Sequence, residues 1–348
     1  MRIGLVLGAG GVVGGSWLIG ALDALESETG WSPTSADVIS GTSAGSVIGA
    51  LTAAGVAPSL MAAYVSGGAG DELAEAAKRA EVVLEAGIGE MPYRLQRALP
   101  PIGPGSWRMA LSTLTRPFAH APSALMAGWL PRGFVSTRPI SDLVDRFVDG
   151  PWPEPDPGGR YWAVAADYTS GRRTVFGREG APEADVRDAV AASCAIAGFY
   201  HPVKIGGRRY IDGGICSMSN LDLVCDEGLD LVVCLNPMSS LARITPRSAP
   251  ERFAARVRAQ AGRRLGHEAK KLRERGTEVL ILQPTADDLA AMGTNLMARD
   301  RREQVIERAI RTTARQLRRR RGRPGVTFPK RTPARRRTTR PAAQRRAA

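Results

Sequence analysis

The stretch VISGTSAGSVIGALTAAG, residues 38–55, decides the fold of this 348-residue chain. Its apolar start is typical of a buried strand, and its apolar second half is typical of a buried helix that ends at Gly55. The small residues between them let the chain pass sharply from strand to helix and project a serine hydroxyl outward; they read Gly41-Thr42-Ser43-Ala44-Gly45. We therefore predict a strand, a tight turn and a helix, with Ser43 as a candidate nucleophile.

A structural role for Ser43 is the alternative. A serine hydroxyl placed before an apolar helix can cap it, because it accepts a hydrogen bond from an otherwise unpaired backbone amide. A G-x-S-x-G pattern by itself also occurs in many unrelated chains. The strand before it and the helix after it favour the nucleophile.

A glycine-rich turn follows the first predicted strand, residues 3–7. It reads Gly8-Ala9-Gly10-Gly11-Val12-Val13-Gly14 and leads into a segment with apolar residues at helical spacing. Backbone amides at the start of a helix stabilise either a phosphate or the oxyanion of an acyl-transfer intermediate. A dinucleotide fingerprint would need glycine where this chain has Val13, so the turn does not match that class of site.

A third candidate group, Asp212-Gly213-Gly214, follows the strand-like residues Tyr210 and Ile211. Its glycines would let the Asp212 carboxylate approach another chain segment closely. A hairpin turn is the alternative, because Asp-Gly is a favoured turn sequence. The group gains weight from the other two segments.

Together these segments resemble the patatin-like phospholipase family, which has a glycine-rich oxyanion loop, G-x-S-x-G on the second unit and D-G-G far downstream. Residues 192–203 are also similar to the family's approach to D-G-G, and the likeness covers residues 3–236. It implies a serine lipid acyl hydrolase that cleaves carboxylic esters of phospholipids or neutral lipids. Ser43 and Asp212 would form a dyad that works through an acyl-enzyme intermediate, without a metal or cofactor.

The resemblance also places the oxyanion hole at the backbone amides of Gly10, Gly11 and Val12. The glycines that would support the three motifs are Gly8, Gly41, Gly45, Gly213 and Gly214. One departure concerns the basic residue usual in the family's glycine loop. Val13 or Gly14 stands there, depending on the alignment.

Two other interpretations remain open. Ser43, Asp212 and His267 follow the chain order of a Ser-His-Asp hydrolase, but that fold places several strands before its nucleophile, whereas one strand and one helix fit ahead of Ser43. His267 also lies in a basic helical stretch. The second alternative is a catalytically silent protein whose glycine loop binds a lipid or nucleotide phosphate.

Apolar strand-like segments alternate with helical ones, which predicts an α/β fold with three α/β/α layers and a mostly parallel central sheet. We expect a catalytic domain at residues 1–236 and a helical extension packed on it at 237–317. The extension would hold helices at about 251–275 and 287–317 around a short strand at 279–282. Another helix is predicted at 73–84.

The formal charge of +14 is concentrated at one end, because residues 318–348 contain 13 Lys/Arg and no acidic residue, and +14 minus +13 leaves +1 for the remainder. Nucleic-acid binding by the folded body is therefore not favoured. We predict that residues 318–348 form a disordered basic tail. It would contact anionic membranes peripherally or simply remain solvated.

The remaining features concern the compartment. Residues 3–22 are long enough to span a bilayer, but their seven glycines argue against a membrane helix or signal peptide. Four cysteines without C-x-x-C spacing indicate neither a zinc site nor disulfides. We expect a cytoplasmic protein, peripheral to the membrane if the tail binds lipid.

Residues 91–139, rich in aromatic residues and Met, would line an acyl pocket, press on a membrane or form ordinary core.

Overall fold

The computed structural model describes residues 1–65, 103–115, 127–148, 150–153, 159–242, 245–320 and 328. Within this part of the chain a single sheet has eight strands. They are β1 (Ile3–Leu7), β2 (Val38–Thr42), β3 (Arg160–Asp167), β4 (Arg173–Phe176), β5 (Val203–Ile205), β6 (Arg208–Asp212), β7 (Leu231–Leu235) and β8 (Glu278–Leu282).

The sheet runs in the order β5-β6-β3-β2-β1-β7-β8, and β4 pairs with β3 beside this path. The pairs β1–β2, β1–β7, β2–β3 and β7–β8 are parallel. The pairs β3–β4, β3–β6 and β5–β6 are antiparallel. The centre of the sheet is thus parallel, as predicted. On one side β4, β5 and β6 add antiparallel pairs, and β6 ends at Asp212.

Helices cover both faces of this sheet. In the described residues they are α1 (Gly11–Thr29), α2 (Ala44–Ala53), α3 (Pro58–Val65), α4 (Trp107–Thr115), α5 (Arg138–Phe147), α6 (Val186–Ser193), α7 (Ala249–Glu274), α8 (Ala286–Met292) and α9 (Arg302–Arg318). None of them is both long and apolar enough to cross a bilayer.

Alternate residues of each strand point to opposite faces, and this divides the core. Leu5, Leu7 and Val233 lie in one buried cluster with α1, α2, α6, α8 and α9. Val6 and Val232 lie in a second cluster with α7. The predicted three-layer α/β/α fold is confirmed.

The segment predicted as a helical extension also supplies a strand of the sheet. β8 pairs in parallel with β7, and α9 packs along α1. α7 matches the helix predicted at 251–275, but the single helix predicted at 287–317 was wrong. A capping box at Thr285 begins α8, and Gly293, with φ of 66°, ends it, so α9 forms a separate helix.

The folded part extends past the predicted start of the tail. Arg318 ends α9 and donates to Glu28 at 2.6 Å, and Arg320 donates to the carbonyl of Ile281 at 2.9 Å. Phe328 packs on Trp31 with ring centroids 5.7 Å apart. The prediction of disorder was therefore wrong for these residues; the rest of the tail, and the helix predicted at 73–84, lie outside the described residues.

Candidate active site

Ser43 lies at a strained turn between β2 and α2. Its φ of 55° and ψ of −126° fall in a backbone region that residues other than glycine rarely adopt. Gly41 and Gly45 make the turn sterically possible, because a Cβ at position 45 would overlap the carbonyl of Leu7 and one at position 41 would overlap the carbonyl of Gly45. The strand, turn and helix predicted around Ser43 are confirmed.

Neighbouring serines hold the backbone of this turn. The amide of Ser43 donates to the hydroxyl of Ser193 at 2.9 Å, and the hydroxyl of Ser46 donates to the carbonyl of Ser43 at 2.7 Å. The side chain of Ser43 makes no capping hydrogen bond to α2, so the capping alternative does not describe it. The hydroxyl is left for another partner.

That partner is Asp212, the last residue of β6. The Ser43 hydroxyl donates to the Asp212 carboxylate, and Asp212 Oδ1 also accepts from the amide of Gly214 at 2.7 Å. Burial raises the pKa of the Asp212 carboxyl from 3.8 to about 6, and the two hydrogen bonds oppose part of that rise. The fold therefore joins two side chains from distant segments in one buried pair.

The glycine loop lies beside this pair, at the carboxyl end of β1. A Cβ on Gly45 would lie 2.7 Å from the carbonyl oxygen of Gly8, and a Cβ on Gly214 would lie 3.5 Å from the Ala9 Cβ. A Cβ on Gly213 would overlap the carbonyl of Val164 on β3. The three predicted motifs meet because their glycines allow close backbone approach.

The first amides of α1 are the candidate oxyanion donors. The Ala9 amide donates to Met218 and the Val13 amide to Leu296. Between them, the amides of Gly10, Gly11 and Val12 have no acceptor among the residues that the structure describes. They stand at the positive end of the helix dipole, which favours a developing negative charge.

The side chains available at the glycine loop carry no charge. Val13 is fully buried in the core, and Gly14 packs against Pro237, since a Cβ there would lie 3.2 Å from the Pro237 Cβ. Neither candidate position for the family's basic residue therefore brings a cation to the loop. Within the loop itself, main-chain amides are the groups that could stabilise an oxyanion.

The histidine alternative is not supported by the geometry. His267 is an exposed residue of α7. The Asp212 carboxylate accepts hydrogen bonds from the Ser43 hydroxyl and from the backbone amide of Gly214. The ring of His201 lies 3.3 Å from the carbonyl oxygen of Gly133. His120 lies outside the described residues.

Apolar residues from the stretch at 91–139 pack against β6, the strand that ends at Asp212. Met109 of α4 is buried in a small cluster with Tyr168 and Ile211, the residue before Asp212. On the same helix Trp107 is 70% exposed. This stretch therefore contributes both buried core and an exposed aromatic side chain.

Two polar residues of this region were missed from the sequence. The hydroxyl of Ser193 accepts a hydrogen bond from the amide of Ser43, and Asn220 Nδ2 donates to Thr42 Oγ1 at 3.0 Å. Ser193 stands in the segment that resembles the family, but nothing in its spacing distinguishes it from other small residues. Asn220 follows Asp212 within a polar loop, which is a weak signal by itself.

Comparisons with known proteins identify the family of this chain. A family model described as patatin-like phospholipase matches residues 5–224. VipD from Legionella pneumophila is 16% identical with a TM-score of 0.38, over 88% of this chain and 67% of that protein. The type III effector ExoU is 18% identical with a TM-score of 0.33, over 92% of this chain and 53% of that protein. The chain thus spans about two thirds and about half of these two proteins.

Proposed function

The chain belongs to the patatin-like phospholipase family of lipid acyl hydrolases, and on that premise we propose that it cleaves carboxylic esters of phospholipids or neutral lipids. Ser43 is the nucleophile and Asp212 the general base. The observation that carries this assignment is the hydrogen bond between the Ser43 hydroxyl and the buried Asp212 carboxylate.

In the first half of the reaction, Ser43 Oγ attacks the ester carbonyl while its proton passes to Asp212. The carbonyl oxygen becomes an oxyanion and accepts hydrogen bonds from the amides of Gly10, Gly11 and Val12. When the intermediate collapses, the bond to the leaving alcohol breaks and Asp212 returns the proton to that oxygen. Ser43 is left as an acyl ester.

In the second half, Asp212 takes a proton from water as that water attacks the acyl carbonyl. The second intermediate collapses with release of the fatty acid, and the proton returns to Ser43. Asp212 is suited to this work because its pKa of about 6 makes it a stronger base than an exposed aspartate. It is still mostly ionised at neutral pH.

The lipid nature of the substrate rests on the family. The exposed Trp107, on the helix whose Met109 packs against Ile211 of β6, would suit contact with an apolar chain.

The test is hydrolysis of a generic fatty-acyl ester and of phospholipid vesicles by the wild type and three variants. Ser43→Ala and Asp212→Asn are expected to lose at least about a thousandfold in kcat, because each removes one member of the proton-transfer pair. His267→Ala, the matched control, is expected to retain wild-type activity. Activity that survives in Ser43→Ala would remove the proposal.

A second readout identifies the covalent step. A fluorophosphonate probe is expected to label Ser43 in the wild type, with the adduct located by mass spectrometry of the peptides. Labelling of another serine, with Ser43 unmodified, would contradict the role of Ser43.

A further inference from the structure

One buried carboxamide bridges the segments that carry Ser43 and Asp212. Asn220 Nδ2 donates to the carbonyl of Ser217 at 2.6 Å and to Thr42 Oγ1 at 3.0 Å, and it makes a longer contact, at 3.4 Å, with the carbonyl of Gly213. Thr42 immediately precedes Ser43, and Gly213 immediately follows Asp212. A single side chain therefore contacts the chain neighbour of each member of the candidate dyad.

The orientation of this carboxamide is fixed by its other end. Arg173 Nη1 donates to Asn220 Oδ1 at 3.2 Å, so the oxygen must face Arg173 and the amino group must face Thr42 and Gly213. Arg173 is itself held by two hydrogen bonds to Asp222, at 2.6 and 2.7 Å. Asn220 also adopts a φ of 49°, which asparagine tolerates better than most residues.

The residues on each side of Asn220 are clamped by a buried carboxylate. Glu268 Oε2 accepts from the hydroxyl of Ser219 at 2.6 Å and from the amide of Leu221 at 3.0 Å. Its Oε1 accepts from Arg264 Nε at 2.9 Å. Glu268 is almost fully buried, and a buried charge is tolerated because these donors satisfy it.

Glu268 belongs to α7, which lies beyond the part of the chain that the family model matches, residues 5–224. The fold thus connects a helix outside the matched region to both catalytic segments through one loop. We infer that Asn220 and Glu268 are positioning residues: Asn220 holds the Ser43 turn in register with the Asp212 turn, and Glu268 holds Asn220 in place. This inference rests on the proposed function of Ser43 and Asp212.

The sharpest test changes Thr42, whose hydroxyl accepts the hydrogen bond from Asn220. Two substitutions there distinguish the effect of losing this hydrogen bond from the effect of changing the side-chain shape. Thr42→Val keeps the branched shape and removes the acceptor, and Thr42→Ser keeps the acceptor. We expect Thr42→Val to lower kcat by about 10- to 100-fold with KM nearly unchanged, because a small misplacement of the nucleophile costs rate rather than binding. Thr42→Ser is expected to stay within about twofold to threefold of the wild type.

A second pair of variants tests the helix. Glu268→Gln keeps the shape but places an amino group or a neutral oxygen where Arg264 and Ser219 now meet a carboxylate. We expect kcat to fall by about tenfold while KM stays nearly unchanged, as for Thr42→Val. Glu274→Gln is the control on the same helix, because that residue is exposed and pairs with Lys270; its kcat is expected to stay at the wild-type value.

Two outcomes would overturn the inference: wild-type kcat in Thr42→Val, or an equal loss in Thr42→Val and Thr42→Ser. Thermal unfolding shows that the compared variants are folded. If the wild type hydrolyses no ester, the proposed function fails, and crystal structures of the two Thr42 variants decide the inference instead. It predicts that the hydrogen bond between Ser43 and Asp212 is lost with Val and kept with Ser; a bond kept in both contradicts it.

Discussion

The amide of Ser43 donates to the hydroxyl of Ser193 at 2.9 Å, and that hydroxyl donates to the carbonyl of Val164 at 2.6 Å. Ser193 is the last residue of α6, and Val164 lies in β3. One hydroxyl group therefore ties the strained Ser43 turn to a helix and to a central strand. A backbone conformation as unfavourable as that of Ser43 persists only when its surroundings hold it.

Ser193→Ala should weaken this support. The variant leaves the buried amide of Ser43 without an acceptor, so we expect the free energy of unfolding to fall by about 1–3 kcal/mol, measured by denaturant titration. We also expect kcat to fall, because the Ser43 turn loses its anchor. Ser35→Ala, at an exposed position, is the control and should change stability by less than about 0.5 kcal/mol. Equal effects of the two substitutions would contradict a special role for Ser193.

The activity should depend on the ionisation of Asp212. Only the carboxylate accepts the Ser43 proton, and burial raises its pKa to about 6. We expect kcat/KM to rise with pH through about 6 and to reach a plateau above about 7, in steady-state assays on a soluble ester. A rate that is flat from pH 4 to 8 would argue against Asp212 as the base.

The same raised pKa has a consequence of opposite sign for stability. Because the pKa of the folded state, about 6, exceeds the usual 3.8, the fold favours the neutral acid. That stabilisation is present below about pH 4 and is lost as pH rises through about 6. Asp212→Asn should therefore be more stable than the wild type at pH 7 by up to about 3 kcal/mol, and the difference should disappear near pH 4. Denaturant unfolding at both pH values checks this.

A pair of helical glycines should respond in opposite directions to alanine. A Cβ on Gly20 of α1 would overlap the carbonyl of Ile306 on α9, whereas a Cβ on Gly266 of α7 meets nothing within 4 Å. We expect Gly20→Ala to destabilise the fold by about 1–3 kcal/mol through overpacking. Gly266→Ala should stabilise it by about 0.5–1 kcal/mol through helix propensity. Thermal unfolding compares them, and a stabilising Gly20→Ala would refute the close α1–α9 contact.

A chain that ends at Asn236 should not fold cooperatively. The truncation removes β8 from the edge of β7, and it removes α9, whose buried residues Val305, Ile306 and Ala309 belong to the main core. We expect aggregation or a broad thermal transition by circular dichroism. A chain that ends at Phe328 is the control and should keep the wild-type melting temperature. A sharp transition in the shorter chain would show that residues 1–236 are independent.

The basic segment after Phe328 offers a test of peripheral membrane contact. Residues 329–348 contain eight Lys/Arg and no acidic residue. We expect the chain that ends at Phe328 to bind anionic vesicles more weakly than the full chain, by about 1 kcal/mol for each basic residue that reaches the surface. The difference should shrink as salt is raised. Vesicle sedimentation with equal binding by both chains would assign no membrane role to this segment.

Much of the fold was predictable because its signals are local. Apolar runs indicated the strands β1, β2 and β8, and the small residues around Ser43 indicated the turn, since any larger flanking residue is sterically excluded there. The break between α8 and α9 was less visible, because a single glycine interrupts a segment with helical composition. Phe328 escaped notice for a related reason: average composition conceals one aromatic anchor in a basic tail.

The site was predictable only in part. Ser43 and Asp212 stand in sequence motifs that their neighbouring glycines make recognisable. Ser193, Asn220 and Glu268 act through long-range hydrogen bonds, which produce no recognisable spacing in the sequence. A serine, an asparagine and a glutamate are ordinary residues in a sequence. Their role depends on which distant amides and hydroxyls the sheet brings to them.

The backbone angles of Ser43 bear on why a serine stands at this position. Glycine would adopt a φ of 55° with less strain, and relief of such strain is worth about 1–3 kcal/mol. A chain selected for thermodynamic robustness alone would thus carry glycine at position 43. The presence of a hydroxymethyl group at this energetically disfavoured point supports the proposed role of Ser43 as the nucleophile.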